Sequence, residues 1–247
     1  MPRQARKESS TGIYHIMLRG INRQNIFHDK EDNQKFYKIL ELCKESDNFK
    51  LYAFCFMSNH VHILLKTDDN ALSDTMKRIA MRYAYWHNIK YKRIGHLFQD
   101  RYRSEPVETE EYFLSVMRYI HQNPIKAGIT TDISSYEWSS YGEYIANSKI
   151  VDTQYALDIL AGNNFTEFHN TFEDISCLED TQMAIRISDK EATVIIMDAL
   201  AQRTTANILE MEPCERMTLL RVLKASRLSI RQISRLTGIS KGLVERV

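Results

Sequence analysis

Leu51-Tyr52-Ala53-Phe54-Cys55-Phe56-Met57-Ser58-Asn59-His60-Val61-His62-Ile63-Leu64-Leu65-Lys66 is two strand-forming apolar runs around a two-residue polar break. Aromatic and branched residues fit a pleated, buried surface, and Ser58-Asn59 suits a tight turn. The stretch therefore predicts a β-hairpin, with strands over 51–57 and 60–66. Upstream, Tyr14-His15-Ile16-Met17-Leu18-Arg19 alternates like a strand and stops at Gly20. Asp29 to Ser46 carries Phe36, Ile39, Leu40 and Cys43 at helical spacing, with Asp29 as the cap. Downstream, Leu72 to Tyr91 sets Met76, Ile79, Ala80, Tyr83 and Trp86 on one helical side. Arg103 to Val107 reads as a short strand, and Glu110 to His121 as a helix. The order strand, helix, strand, strand, helix, strand, helix predicts an α+β fold. Its form is the ferredoxin-like split βαβ arrangement, an antiparallel sheet with helices on one face.

The chain has 247 residues, 43% hydrophobic and 26% charged, the composition of a water-soluble globular protein. No apolar run approaches the roughly 20 residues that span a bilayer. The basic N-terminus has no apolar segment behind it, so a cytoplasmic protein without membrane contact is expected. Cys43, Cys55, Cys177 and Cys214 are too scattered for a zinc ribbon or a disulfide framework, and are expected reduced and buried.

The net charge of +1 hides a division into three. Residues 1–149 hold 22 Lys and Arg against 18 Asp and Glu; residues 150–216 hold 4 against 13; residues 217–247 hold 7 against 1. This suggests a main domain (1–149), an acidic helical linker (150–216) and a basic terminal segment (217–247), with two surfaces suited to a polyanion.

His60 and His62, two apart on a strand, leave the same face, where two neutral imidazoles can grip one divalent cation. A His-x-His pair alone is a weak signal, because strand histidines are commonly solvated. Two further blocks strengthen it: Gly95-His96-Leu97-Phe98-Gln99-Asp100-Arg101-Tyr102-Arg103-Ser104, and Tyr119-Ile120-His121-Gln122-Asn123-Pro124-Ile125-Lys126-Ala127-Gly128. In this order and spacing the three blocks resemble the single-tyrosine HUH transposases (insertion-sequence-200-like), in particular the REP-associated subgroup. The resemblance spans roughly residues 10–145.

The resemblance implies that Tyr119 is the nucleophile and that Asn123 joins His60 and His62 as a metal ligand. Positions i and i+4 share a helical face, so Tyr119 and Asn123 look the same way and His121 looks elsewhere. Pro124 disfavours helical geometry at Asn123 and predicts a frayed last turn there. The expected chemistry is transesterification of single-stranded or hairpin DNA through a 5′-phosphotyrosine. A phenol of pKa about 10 is scarcely ionised at neutral pH, so a cation is expected to assist it. Mg²⁺ or Mn²⁺ follows from the resemblance, while the mixed imidazole and carbonyl donors also admit Zn²⁺. Family members include dimers and monomers, which leaves a homodimer open.

Arg101 and Arg103 are candidate DNA contacts. The basic, aromatic stretch around Tyr83 and Trp86 suits stacking on unpaired bases, but those two aromatics fit the helix core better. Finally, Ser229 to Val247 looks like a helix-turn-helix. Ile233, Leu236 and Val244 face inward, Gly238 takes the turn and Ser240 caps the second helix. Lys241, Gly242 and Glu245 would then approach DNA. The sequence thus points to a DNA nicking and joining enzyme. The alternatives are a DNA-binding regulator that has lost catalysis and a metal phosphodiesterase that uses water.

Overall fold

A computed structural model of the chain describes residues 7–171, 189–200, 208, 211–226, 228 and 230–246. Part of the expected acidic linker, the start of the expected helix-turn-helix at Ser229, and Cys177 lie outside the described residues. Cys43 and Cys55 are buried and form no disulfide with each other. The chain divides into two compact units, residues 1–181 and 182–247. No helix among the described residues is long and apolar enough to cross a membrane.

The first unit is built on strands β1 (Ile13–Arg19), β2 (Lys50–Met57), β3 (His60–Lys66) and β4 (Arg103–Pro106), hydrogen-bonded in the order β2-β3-β1-β4 with every pair antiparallel. This is the strand order of the predicted ferredoxin-like arrangement. Helix α1 (Lys30–Asp47) follows β1 and α2 (Asp69–Lys90) follows β3. The α1 start is set by a capping box: the Asp29 carboxylate accepts from the Asp32 N–H at 3.1 Å, and Asp32 accepts from the Asp29 N–H at 3.3 Å. Lys90 at the end of α2 is paired with both carboxylates and ties the two helices together.

One face of the sheet presents Tyr14, Ile16, Leu18, Phe54, Phe56, Val61, Ile63 and Leu65 to α1 and α2. Tyr83 is fully buried there and donates its hydroxyl to the Ile26 carbonyl at 2.6 Å, whereas Tyr85 is exposed. Helix α3 (Glu110–Lys126) packs on the opposite face against Ala53, Cys55, Met57 and Leu64. The one-face expectation thus holds for α1 and α2, and α3 adds a second layer. The physical reason is in β2 itself, whose unbroken apolar run needs cover on both sides. A bulge between Leu51 and Ala53 inserts Tyr52, and the inward-facing set of β2 changes sides there.

Helix α3 does not fray at Pro124. It continues to Lys126, with Ala127 N–H donating to Asn123 O at 2.9 Å and both Asn123 and Pro124 buried. The proline forfeits only the bond that its own nitrogen would have donated, and packing on the sheet outweighs that loss.

Beyond α3, residues 138–140 hydrogen-bond to β2 (Trp138 O accepts from Phe56 N–H, and Ser140 N–H donates to Phe54 O). They cover an edge that would otherwise stay open. Short helices α4 (Tyr141–Ile145), α5 (Gln154–Leu160) and α6 (Phe165–Asn170) follow. Ala156, Leu160 and Phe165 join the α3 core, so residues 150–170 are part of the sheet unit.

The second unit contains α7 (Asp189–Ala199), α8 (Pro213–Ala225), α9 (Ile230–Thr237) and α10 (Lys241–Glu245) around Ile196, Leu220, Leu223, Ile233 and Val244. Gly238 makes the α9–α10 turn at φ +75°. Ser240 does not cap α10 through its hydroxyl, contrary to expectation. Its carbonyl instead accepts from the Leu243 and Val244 N–H groups at 3.0 and 3.2 Å.

Candidate active site

The α3 face of the sheet carries a cluster of rings. In β3, His60 and His62 alternate with the core residue Val61, and their ring centroids are 5.0 Å apart. Tyr119 comes from α3, whose N-terminus is fixed by Thr109 Oγ1 accepting from the Tyr112 N–H at 3.2 Å. Its ring meets that of His62 edge-on, with centroids 5.7 Å apart. Asn123, one turn further, is buried and donates its amide N–H to the Tyr119 carbonyl at 3.0 Å. That bond fixes the amide and leaves the Asn123 Oδ1 as its acceptor end. The structure thus brings His60, His62 and Tyr119 together and sets Asn123 on the same helical face as Tyr119.

His121 points elsewhere, as its position two residues from Tyr119 requires. Its ring nitrogens are 2.9 Å from His169 Nε2 and 2.7 Å from Ser140 Oγ. Burial, then the His169 neighbour, holds its pKa well below the usual histidine value.

Sequence reasoning missed three residues of this face. His15 on β1 is wholly buried, with Nε2 2.9 Å from His62 Nδ1 and its ring 5.9 Å from that of Tyr119. Glu105 on β4 stands opposite His15 in the strand register, with Oε2 4.0 Å from His15 Nδ1. Lys126 places its ammonium 4.7 Å from the Tyr119 ring centroid, seven residues on along α3. The strand alternation of residues 14–19 was a signal for His15, since it separates Tyr14, Ile16 and Leu18 from His15 and Met17.

Arg103 is aligned through Met17 with His62 across β4, β1 and β3, and so lies on the same face of the sheet. Arg101 is exposed in the preceding loop. Lys241, Gly242 and Glu245 are exposed on α10 in the second unit.

Among the described residues, no group of three or more His, Cys, Asp or Glu could hold a metal ion. A cation at the histidine pair would therefore need an amide oxygen or ligands from a substrate. Two neutral imidazoles and an amide oxygen fit a divalent ion that keeps positions for phosphate oxygens.

The family described as IS200-like transposase matches residues 8–123. Among solved structures, the chain is similar to a REP-associated tyrosine transposase bound to a REP hairpin, at 17% identity and a TM-score of 0.52. That match covers 60% of this chain and 87% of the other. A candidate transposase from Deinococcus radiodurans R1 also matches, at 20% identity and a TM-score of 0.36, over 49% of this chain and 97% of the other. The first likeness is one of fold. No curated protein matches the chain.

Proposed function

We propose that this chain, which belongs to the IS200-like transposase family through residues 8–123, cleaves and rejoins single-stranded DNA with Tyr119 as nucleophile. The observation that carries this reading is the Tyr119 ring lying 5.7 Å from that of His62, beside the His60–His62 pair.

In the proposed reaction the Tyr119 oxygen, having lost its proton, attacks a backbone phosphorus. The new Tyr–O–P bond forms as the P–O3′ bond breaks, and the departing 3′ oxygen takes up a proton. The product is a 5′-phosphotyrosyl enzyme and a free 3′-hydroxyl. Attack by another strand's 3′-hydroxyl reverses the step and releases Tyr119, so bond energy is conserved without a nucleotide cofactor. His60, His62 and Asn123 would hold a divalent cation, Mg²⁺ or Mn²⁺, which polarises the scissile phosphate and offsets developing charge. Lys126, with its ammonium 4.7 Å from the Tyr119 ring centroid, supplies positive charge beside the nucleophile.

Hairpin repeats are the proposed substrate, since the fold-similar transposase above was captured with a REP hairpin. Arg101 and Arg103 are proposed to track its phosphates. The α9–α10 pair, with Lys241, Gly242 and Glu245 exposed on α10, is proposed as a second DNA contact of helix-turn-helix type. Incubation with end-labelled hairpin DNA and Mn²⁺ tests the reading. The expected result is a denaturant-resistant protein–DNA adduct that disappears in Tyr119→Phe. Binding without an adduct would make the chain a DNA-binding regulator, strand cleavage without an adduct would make it a water-using phosphodiesterase, and either result refutes the tyrosine mechanism.

A further inference from the structure

We infer that His15, oriented by Glu105, is a positioning residue that holds His62 as its Nδ1-protonated tautomer and so directs Nε2 of His62 to the cation. The inference rests on the reading of His60 and His62 as cation ligands. It starts from a hydrogen bond between two imidazoles, His15 Nε2 to His62 Nδ1 at 2.9 Å, buried at both ends. One of these nitrogens must carry the proton, and the two choices have opposite consequences. If His15 donates, the neutral His62 carries its own proton on Nε2 and cannot ligate through that atom. If His62 donates, its lone pair lies on Nε2.

Glu105 decides between them. It faces His15 across the β1–β4 ladder, with Oε2 4.0 Å from His15 Nδ1. A carboxylate beside Nδ1 draws the single proton of a neutral imidazole to that nitrogen. His15 Nε2 is then bare and accepts from His62 Nδ1–H. The order carboxylate, histidine, histidine extends by one ring the outer-shell arrangement in which an acceptor on the second nitrogen fixes the tautomer and raises the basicity of a metal-binding histidine.

His60 is set in the same sense by a different partner. Asn59 Nδ2 donates to the Arg23 carbonyl at 3.2 Å, which turns Asn59 Oδ1 toward His60 Nδ1 at 2.5 Å. An amide oxygen only accepts, so His60 carries its proton on Nδ1. Both histidines of the pair are thereby prepared to ligate through Nε2, one by a neighbour in the turn and the other by a chain crossing three strands.

The test has two arms on the full chain. Long-range ¹H–¹⁵N correlation of the metal-free protein, above the pH range of imidazole protonation, reads each tautomer directly. The expected result is Nδ1–H at both His60 and His62. Titration with Mn²⁺, followed by electron paramagnetic resonance, should show His15→Ala weakening the Kd by about 10-fold or more. His15→Gln, whose side-chain oxygen can accept from His62 Nδ1–H, should recover most of the affinity, and Glu105→Gln should weaken binding less than His15→Ala. A His62 Nε2–H tautomer, or an Mn²⁺ Kd unchanged in His15→Ala and Glu105→Gln, overturns the positioning role alone. A wild-type chain that binds no Mn²⁺ overturns the cation site itself, and the inference with it. Should His15→Ala fail to fold, the wild-type tautomer and the Glu105→Gln titration decide.

Discussion

Acidification from about pH 7.5 to about pH 5 should destabilise the sheet unit, because it buries neutral histidines. His169 is 2% exposed, held by the Phe165 carbonyl and the His121 ring, and burial lowers its pKa to about 4. His87 at the end of α2 is likewise buried and lowered to about 4. An unfolded histidine titrates near 6.5, so between that value and about 4 the unfolded chain binds protons that the folded chain refuses. Stability contributed by these groups is therefore complete above about pH 6.5 and is lost as pH falls toward 4. At about pH 5 each group costs about 2 kcal/mol, so the pair costs about 4 kcal/mol, and His121 acts in the same direction. Against a typical total of about 5–15 kcal/mol, that is a large fraction. Asp29, Asp32 and Asp152, whose pKa values are lowered, lose their contributions only at lower pH and do not confuse this window. Both tryptophans, Trp86 and Trp138, lie in the sheet unit, so urea unfolding followed by tryptophan fluorescence isolates it. The expected change from about pH 7.5 to about pH 5 is a loss of at least about 4 kcal/mol, smaller by about 2 kcal/mol in His169→Gln. A loss below about 1 kcal/mol, or a His169→Gln variant with the full pH dependence, would refute the burial argument.

Gly20→Ala should lower both stability and Mn²⁺ affinity. An added Cβ would lie 2.3 Å from the Gln24 carbonyl oxygen and 2.9 Å from Ile26 Cγ2, beside Arg19, which pairs with His60. A loss of about 1–3 kcal/mol in urea unfolding is expected for such overpacking. Lys126→Ala should slow single-turnover adduct formation by about 2- to 5-fold, the equivalent of about 0.5–1 kcal/mol for an exposed cation–ring contact, and Lys126→Arg should restore it.

The element order was legible because each element carries its own period. Alternation marks β1, and Phe36, Ile39, Leu40 and Cys43 mark α1 and were all found buried. What the periods do not report is the tertiary setting of an element. Pro124 locally argues for a helix end near Asn123, yet α3 continues, because residues 116–124 are buried as a block and packing outweighs one missing hydrogen bond. The second helical layer follows the same logic. It was latent in the apolar run of β2, whose inward faces differ on the two sides of the Tyr52 bulge, a change that no strict period contains.

The site divides along the same line. His60 with His62, and Tyr119 with Asn123, are related by local spacings of two and four residues, which fix a common face without any knowledge of the fold. His15 and Glu105 are related to His62 only through register: β1 must pair with β3 so that His15 stands diagonal to His62, and β4 with β1 so that Glu105 stands opposite His15. A one-residue slip of β4 would turn Glu105 to the other face of the sheet and leave the His15–His62 proton undirected. The strand register thus determines the electrostatics on the α3 face. A substitution that shifts β4, even one far from Tyr119, is therefore expected to act on the histidine pair through Glu105.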